Sequence, residues 1–230
     1  MAKLYKSHNS NTDKRTALLV GIFLCALACA AFLFFKLWMA AAVSAVAGVA
    51  AFFAFYNRIK VLQSGLDGEN KTAKMLVKRL PRGCAVCQNF TVKCGPTAEL
   101  DAIAITPQGV SVIEVKNQAG EITGRADAQY WRHTRSGKRG SVIEKQMPNA
   151  LVQSSRQVQV IKNVLIKAGI NAPLKGCVYF SNSYISVNIS GANVFTNEGA
   201  LLAFIQKGRA VLSPQDIKQI AAEIKTHTIK

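Results

Sequence analysis

Two acidic residues and a lysine occur where a soluble domain rarely places charge. Asp101 lies inside the apolar run 99–106, and Glu114 lies near the end of the apolar run 110–115. Charged side chains are seldom buried unless they are paired or bind a metal ion. Because side chains two apart on a strand share a face, Glu114 and Lys116 should project together while Val115 points into the core.

The two runs are joined by Pro107-Gln108-Gly109, a turn sequence, so they should pair as a hairpin with Asp101 and Glu114 toward the same end. Two carboxylates at a sheet edge suit Mg²⁺ or Mn²⁺, with the Val115 carbonyl, water and phosphate oxygens completing the coordination. Lys116 can then activate a metal-bound water and offset charge on the phosphate. The set predicts phosphodiester hydrolysis; the alternative is a structural ion pair between Lys116 and one acid.

The elements that must position these residues mix helix and strand patterns. Helical spacing is expected over 73–80 after a turn at 64–69, over about 148–168, over 199–206 and from 213 onward. Strand patterns are found over 84–92, 99–106, 110–115, 121–123, 129–133, 174–180 and 194–195. This order predicts a mixed α/β domain.

Two uncharged stretches of twenty residues, 16–35 and 37–56, precede that domain. Each is long enough for a membrane-spanning helix, and together they predict a transmembrane hairpin that turns near Lys36. Basic residues flank both outer ends, which predicts that 1–15 and 57–230 are cytoplasmic. A signal peptide, or one span followed by an interfacial helix, is the alternative.

The charge of the chain points to an anionic partner. Lys and Arg outnumber Asp and Glu by 29 to 12, a net charge of +17, and most of the surplus lies beyond residue 56. Such a domain should attract nucleic acid or anionic lipid, and charge alone does not separate the two. The cysteines Cys84 and Cys87 form a CxxC without a second ligand pair, so reduced, partly buried thiols are favoured over a zinc site.

The strings GENKTAKMLVKRL and AELDAIAITPQGVSVIEVKNQAGEITG resemble the nuclease-related domain (NERD) of the PD-(D/E)XK nuclease superfamily, over about 66–181. Such domains open the first helix with Gly-Glu, carry an aspartate in the second strand and an E-x-K in the third. The matching residues here are Gly68-Glu69, Asp101 and Glu114-Val115-Lys116. The resemblance implies a restriction-endonuclease-like fold, a mixed sheet flanked by helices, here preceded by the transmembrane hairpin.

The resemblance also implies supporting residues. Glu69 would approach the metal site, although an acid in the first turn of a helix also stabilises the helix dipole. The family places a glutamine on the next helix, in an N-P-x-x-Q string; the order Met147-Pro148-Asn149 departs from it, so Gln153 is the first candidate and Gln157 the second. Candidate phosphate contacts, with solvated charges as the alternative, are Arg132, Lys138, Arg139 and Lys145.

The sequence therefore predicts an integral protein of the cell inner membrane whose cytoplasmic domain hydrolyses nucleic acid, with DNA favoured over RNA. The candidate catalytic residues are Asp101, Glu114, Lys116, Glu69 and Gln153, and the candidate metal ligands are Asp101, Glu114 and Val115. Membrane lipid would contact residues 16–56. One alternative is a catalytically silent module that holds nucleic acid or a protein partner; another is a regulatory domain that sits on anionic lipid.

Overall fold

The computed structural model describes residues 1–7, 10–35, 37–137, 140–190 and 193–229. Two compact units make up the chain: residues 9–67 form one, and the N-terminal residues together with everything from Gly68 onward form the other. The predicted mixed α/β fold class is confirmed. Its elements are β1 (Lys3–Lys6), α1 (Ser10–Phe34), α2 (Trp38–Arg79), β2 (Ala85–Lys93), β3 (Thr97–Thr106), β4 (Gly109–Lys116), β5 (Gly120–Arg125), β6 (Tyr130–Ser136), β7 (Val142–Pro148), α3 (Ala150–Lys167), β8 (Leu174–Phe180), β9 (Ile185–Ser190), β10 (Val194–Phe195), α4 (Glu198–Gln206) and α5 (Pro214–Thr226).

Helices α1 and α2 are both long and apolar enough to cross a membrane. Their most apolar windows are 0% and 6% buried within the protein, so neither behaves as the core helix of a soluble domain. The break between them falls at the predicted turn, although Lys36 itself lies outside the described residues. Helix α1 begins at Ser10, six residues earlier than the predicted span, with Asp13 in its first turn, where the helix dipole favours an acid.

Small residues let α1 and α2 pack closely in antiparallel fashion. The Cys29 thiol lies 3.4 Å from the Ala41 carbonyl oxygen, and a Cβ added at Gly48 would stand 3.4 Å from Cys25 Cβ. Such small side chains at a helix contact are typical of membrane helices, where van der Waals packing replaces the hydrophobic effect. The contacts agree with the predicted hairpin.

The turn predicted over 64–69 is wrong, because α2 runs through this segment as continuous helix. Glycines suggested the turn, but neither Gly65 nor Gly68 adopts a positive φ angle. At Gly68 the reason for glycine is close packing. A Cβ there would stand 2.6 Å from Asn117 Cβ and 2.8 Å from Ser181 Oγ. Helix α2 can therefore approach the ends of β4 and β8 only if this residue has no side chain.

The main sheet has six strands in the order β1-β2-β3-β4-β8-β10. β2, β3 and β4 pair antiparallel, whereas β4–β8, β8–β10 and β1–β2 pair parallel. Alternating side chains divide the core between the two faces. Ile103 and Ile105 pack with α3 and α5, while Ala102 and Ala104 pack with α4 and the C-terminal part of α2.

A second sheet, in the order β7-β6-β5-β9, was not predicted as a separate layer. Its strands β5 and β6 match the predicted segments, and Trp131 on β6 is buried in a cluster with Ile122 and Met147. β7 and β9 were missed. Pro148 was expected to open a helix, but it ends β7, and the helix α3 begins two residues later behind the capping residue Asn149.

The N-terminal segment, expected to be a tail, contains the strand β1. Its register pairs Lys3 with Ala85 and Lys6 with Gln88 of β2. Ala2 is buried against the α2 side of the sheet, and its N–H donates to the Val77 carbonyl at 3.1 Å. The first residues of the chain are thus part of the same fold as residues 68–229.

Candidate active site

The hairpin of β3 and β4 brings the two predicted acids together. Its register runs from Thr106 opposite Gly109 to Ala102 opposite Ile113. One further step along the same register sets Asp101 across from Glu114. The predicted arrangement, with both carboxylates toward one end of the hairpin, is what the structure contains.

The ladder between β3 and β4 stops at Ala102 and Ile113, although both strands continue. Beyond this point lies a gap, which we call the fork, bounded by Glu99 and Asp101 on β3 and by Glu114 and Val115 on β4. Side chains supply the missing hydrogen bonds. The Val115 N–H donates to Asp101 Oδ2 at 2.8 Å. The fork is therefore built by polar side chains where a regular sheet would use its backbone.

Gln157 of α3 fills the other side of the fork. Its Nε2 donates to the Glu99 carbonyl oxygen at 2.8 Å and to Glu114 Oε2 at 2.5 Å. The Gln157 side chain is buried, and its Oε1 has no hydrogen-bond partner among the residues that the structure describes. One amide group thus ties both strands to α3 at the point where they separate.

Lys116 pairs with Glu114 in the way that the alternation of strand side chains predicts. Its Nζ lies 2.6 Å from Glu114 Oε1, and the two side chains are 20% and 1% exposed. The same Nζ donates to Gln153 Oε1 at 3.0 Å. Val115 packs on the opposite face of the sheet, as predicted. The ion pair named above as the structural alternative is present, and it holds the lysine beside both carboxylates.

The fork collects negative charge. Burial raises the pKa of Asp101 well above its ordinary range, and the carboxylates of Glu114 and Glu69 raise it further. The Val115 N–H and the Lys116 ammonium oppose this change in the Asp101 pKa. Glu69, buried on α2 next to Gly68, is therefore close enough to act on Asp101 electrostatically. Carboxylates that raise the pKa of a neighbouring acid form a site that a cation would stabilise.

Chemically, this donor set fits a hard divalent cation better than a softer one. Carboxylate oxygens and a backbone carbonyl are ligands that Mg²⁺ prefers, with water filling the remaining positions. Within the ranges that the structure describes, no group of three or more His, Cys, Asp or Glu side chains is arranged as a metal site. The CxxC does not supply one either, because Cys84 and Cys87 lie in core clusters on opposite faces of the main sheet.

Of the candidate phosphate contacts, the two that the structure describes, Arg132 and Lys145, are not brought together. Arg132 and Gln146 are opposite one another in the pairing of β6 with β7, and Lys145 is the next residue along, so Arg132 and Lys145 project from opposite faces of the second sheet. Arg132 donates to Thr123 Oγ1 at 3.3 Å and lies 4.0 Å from Glu144. Lys138 and Arg139 lie outside the described residues.

Asn149 lies at the start of the helix that carries Gln153. It caps α3: its side-chain oxygen accepts the Leu151 N–H, and its amide donates to the carbonyls of Ala126 and Ala128. Asn149 and Gln153 have the spacing of the first and last residues of an N-P-x-x-Q string, with Ala150 in the place of proline. Proline at that position is favoured because it is the first residue of the helix.

Comparison with known proteins gives a family match and one related chain. A family model described as a nuclease-related domain matches residues 64–181, just over half of the chain. The chain is also 26% identical over 169 residues to an uncharacterized protein of Bacillus anthracis, a match that covers 72% of this chain and 74% of that protein. No solved structure matches.

Proposed function

Because this chain belongs to the nuclease-related domain family, we propose that it is a membrane-tethered, metal-dependent nuclease. The observation that carries the proposal is the fork, where Asp101, Glu114 and Lys116 converge beside a third acid, Glu69. A buried acidic group with a perturbed pKa and a defined lysine partner is typical of a functional site.

Asp101 and Glu114 would hold Mg²⁺ or Mn²⁺ together with the Val115 carbonyl. The N–H and C=O of one strand residue point toward the same neighbouring strand. Since the Val115 N–H meets Asp101, its carbonyl oxygen also faces the fork. The metal, when bound, supplies a polarised water as nucleophile and neutralises charge on the phosphate.

Lys116 has two partners in this proposal, and only one of them is a metal ligand. When Glu114 turns to a cation, Gln153 Oε1 remains as an acceptor for the Lys116 ammonium. The lysine then stays beside the scissile phosphate, where its charge stabilises the transition state. Gln153 is in this account the residue that holds Lys116, and Glu69 adds negative potential that favours the cation.

The substrate we propose is nucleic acid, with DNA favoured over RNA. The chain has a net charge of +17, most of it outside the apolar helices. Contacts between basic side chains and phosphates provide affinity without sequence preference, and such binding weakens steeply as salt is added.

Helices α1 and α2 would anchor the domain, and β1 supports a particular topology. β1 and β2 are neighbours in one sheet, although both apolar helices lie between them in the chain. Both ends of the hairpin must then lie on the same side of the membrane, which favours two crossings over one. The positive-inside rule makes that side the cytoplasm, since basic residues flank the apolar helices: Lys3, Lys6, Lys14, Arg15, Arg58 and Lys60.

The test is cleavage of single- and double-stranded DNA and RNA by the full chain in detergent, with Mg²⁺, Mn²⁺ or chelator. A fragment that starts at residue 57 would leave β2 without β1, so the full chain is the proper sample. We expect metal-dependent cleavage that Asp101→Ala abolishes. Equal cleavage by the wild type and by this variant would contradict the proposal.

A catalytically silent binding module is the second candidate, and one observation favours it. Both oxygens of Glu114 already have donors, Lys116 and Gln157, as in a purely structural ion pair. This candidate predicts nucleic-acid binding with a steep salt dependence and no cleavage with either metal. Binding and cleavage measured on one preparation separate the two functions.

A further inference from the structure

We infer that Gln157 is the positioning residue that fixes the carboxylate of Glu114 for cation binding. The inference rests on the proposed function, because it assigns Glu114 as a metal ligand. Gln157 does not need to touch the cation or the substrate; it acts through the one oxygen of Glu114 that it holds.

The geometry assigns one oxygen of Glu114 to each of two donors. Gln157 Nε2 lies 2.5 Å from Oε2, and Lys116 Nζ lies 2.6 Å from Oε1. The Lys116 contact reaches toward solvent, whereas Gln157 is buried and held by a second bond to the Glu99 carbonyl at 2.8 Å. Oε2 is therefore fixed by the rigid partner, and Oε1 is the oxygen that can exchange the ammonium for a metal ion.

Helix α3 carries both Gln153 and Gln157, so their positions at the fork are coupled. Gln153 and Gln157 are four residues apart, so their side chains lie on the same face of the helix. Gln153 Oε1 accepts from Lys116, and Gln157 Nε2 donates to Glu114. A shift of α3 would thus displace the lysine and the glutamate together.

The unpaired Gln157 Oε1 argues against a role in stability alone. A buried acceptor without a partner costs about 1–3 kcal/mol. The amide cannot rotate to satisfy this oxygen, because both bonds to Glu99 and Glu114 require the nitrogen at its present position. A residue that leaves one oxygen unsatisfied in order to orient an acid is typical of residues that hydrogen-bond to a metal ligand. Loss of such a residue weakens metal binding or activity about 10–100-fold.

The experiment compares Gln157→Met with Gln159→Met in the full chain in detergent. Methionine keeps the length of the side chain but donates no hydrogen bond. Gln159 lies on the same helix, is exposed, and bonds only to the Asn163 side chain among the contacts described, so it is the matched control. Mn²⁺ affinity is measured by calorimetry, Tm by a thermal melt, and kcat and KM by nucleic-acid cleavage.

We expect Gln157→Met to raise the Kd for Mn²⁺ about tenfold and to lower kcat about tenfold or more, with KM for nucleic acid within about twofold. Gln159→Met should leave all of these values unchanged. Gln157→Asn, whose amide is one methylene short, should change the Kd for Mn²⁺ in the same direction, and it replaces Gln157→Met if that variant does not fold. A folded Gln157 variant with wild-type Mn²⁺ affinity overturns the inference.

The two proposals can fail separately. A wild-type protein that binds Mn²⁺ but cuts no nucleic acid contradicts the nuclease, and the Kd of the Gln157 variants then decides the positioning role by itself. A wild-type protein that binds no Mn²⁺ overturns both proposals.

Discussion

The fork carries Asp101, and the second sheet has Asp127 beside it. The surroundings of these two carboxyl groups shift their pKa values in opposite directions. In the fork, burial and two further acids raise the pKa of Asp101. Beside the second sheet, Asp127 is fully exposed, and hydrogen bonds from Arg125 lower its pKa. The second sheet stabilises the ionised form of its acid with a neighbouring arginine, whereas the fork disfavours the ionised form of Asp101, which a bound cation would stabilise.

The basic residues of the two regions also differ, because the lysine of the fork is held by fixed partners and those of the second sheet are exposed. Lys116 is held at 2.6 Å by Glu114 and at 3.0 Å by Gln153. Arg132 and Lys145 are exposed and project from opposite faces of the second sheet. Charge with fixed geometry should govern the rate of a reaction, and charge on a surface should govern only affinity. Variants in the fork and in the second sheet test this contrast between the two regions.

The largest effect is expected at Lys116. Lys116→Met should lower the cleavage rate by at least about a hundredfold, because the charge beside the phosphate is lost. It should also lower the free energy of unfolding by about 3 kcal/mol, since Glu114 remains buried without its ion-pair partner. Single-turnover kinetics and thermal melts measure the two effects.

The double variant Lys116→Met with Glu114→Gln separates these two effects. It should recover most of the lost stability and none of the activity, because it removes the uncompensated charge without restoring the lysine. If the double variant regained cleavage, Lys116 would have a structural role only.

The next effect concerns the approach of α2 to the fork. Gly68→Ala should destabilise the protein by about 1–3 kcal/mol and reduce cleavage, because the new Cβ would stand 2.6 Å from Asn117 Cβ. Gly65→Ala is the matched control, since, apart from the local helix backbone, no described atom lies within 4 Å of a Cβ at that position, and alanine favours helix. The Tm values of the two variants should therefore move in opposite directions.

A pH effect follows from the raised pKa of Asp101. The folded protein binds a proton at Asp101 more tightly than the unfolded chain does, so stability falls as pH rises from about 4, the ordinary aspartate pKa, toward the higher pKa of the folded state. Asp101→Asn removes this loss. The variant should be more stable than the wild type at neutral pH and equal to it below about pH 4.

Thermal melts across pH in chelator measure this difference. Asp127→Asn is the comparison from the second sheet. Because Arg125 lowers the pKa of that exposed carboxyl, the melts of this variant should match the wild type in acid and show at most a small loss of stability at neutral pH, opposite in sign to Asp101→Asn. An Asp101→Asn curve parallel to the wild type would mean that the fork holds no excess charge.

The smallest effect is expected on the second sheet. Since Arg132 and Lys145 project from opposite faces, one bound nucleic acid should contact only one of them. Of Arg132→Ala and Lys145→Ala, one variant should reduce the salt dependence of binding by about one phosphate contact and the other should not. Neither should change the cleavage rate at saturating substrate. Binding isotherms over a salt series give the slopes.

The sequence pattern gave its best predictions for segments in which the local order of apolar residues indicates the secondary structure. The strand 174–180 is found as β8 with the predicted bounds, because its residues 177–180 are apolar and buried where β8 pairs between β4 and β10. The hairpin that aligns Asp101 with Glu114 followed from strand alternation and a turn. The position of Asp101 opposite Glu114 could therefore be predicted from the sequence of these two strands and their turn.

The parts that were missed depend on distant contacts. β1 is four residues long and exists through pairing with β2 beyond both apolar helices. β7 and β9 are the outer strands of the second sheet. β7 has no apolar run to mark it, whereas β9 alternates Ile185, Val187 and Ile189 with polar residues, a strand pattern that was overlooked. Gly68 was taken for a turn because its purpose, contact with Asn117 and Ser181, is visible only in three dimensions. Gln157 was ranked second for the same reason, since its two acceptors lie on different strands.

If the fork binds a divalent metal and cleaves nucleic acid, cleavage must depend on both the metal and Asp101. The most direct test is a Mg²⁺ titration of DNA cleavage by the full chain in detergent, with Asp101→Ala purified in parallel. Cleavage should rise with Mg²⁺, stop in chelator and be absent from the variant. Wild-type protein that binds DNA yet leaves it intact at every Mg²⁺ and Mn²⁺ concentration would contradict the proposed nuclease function.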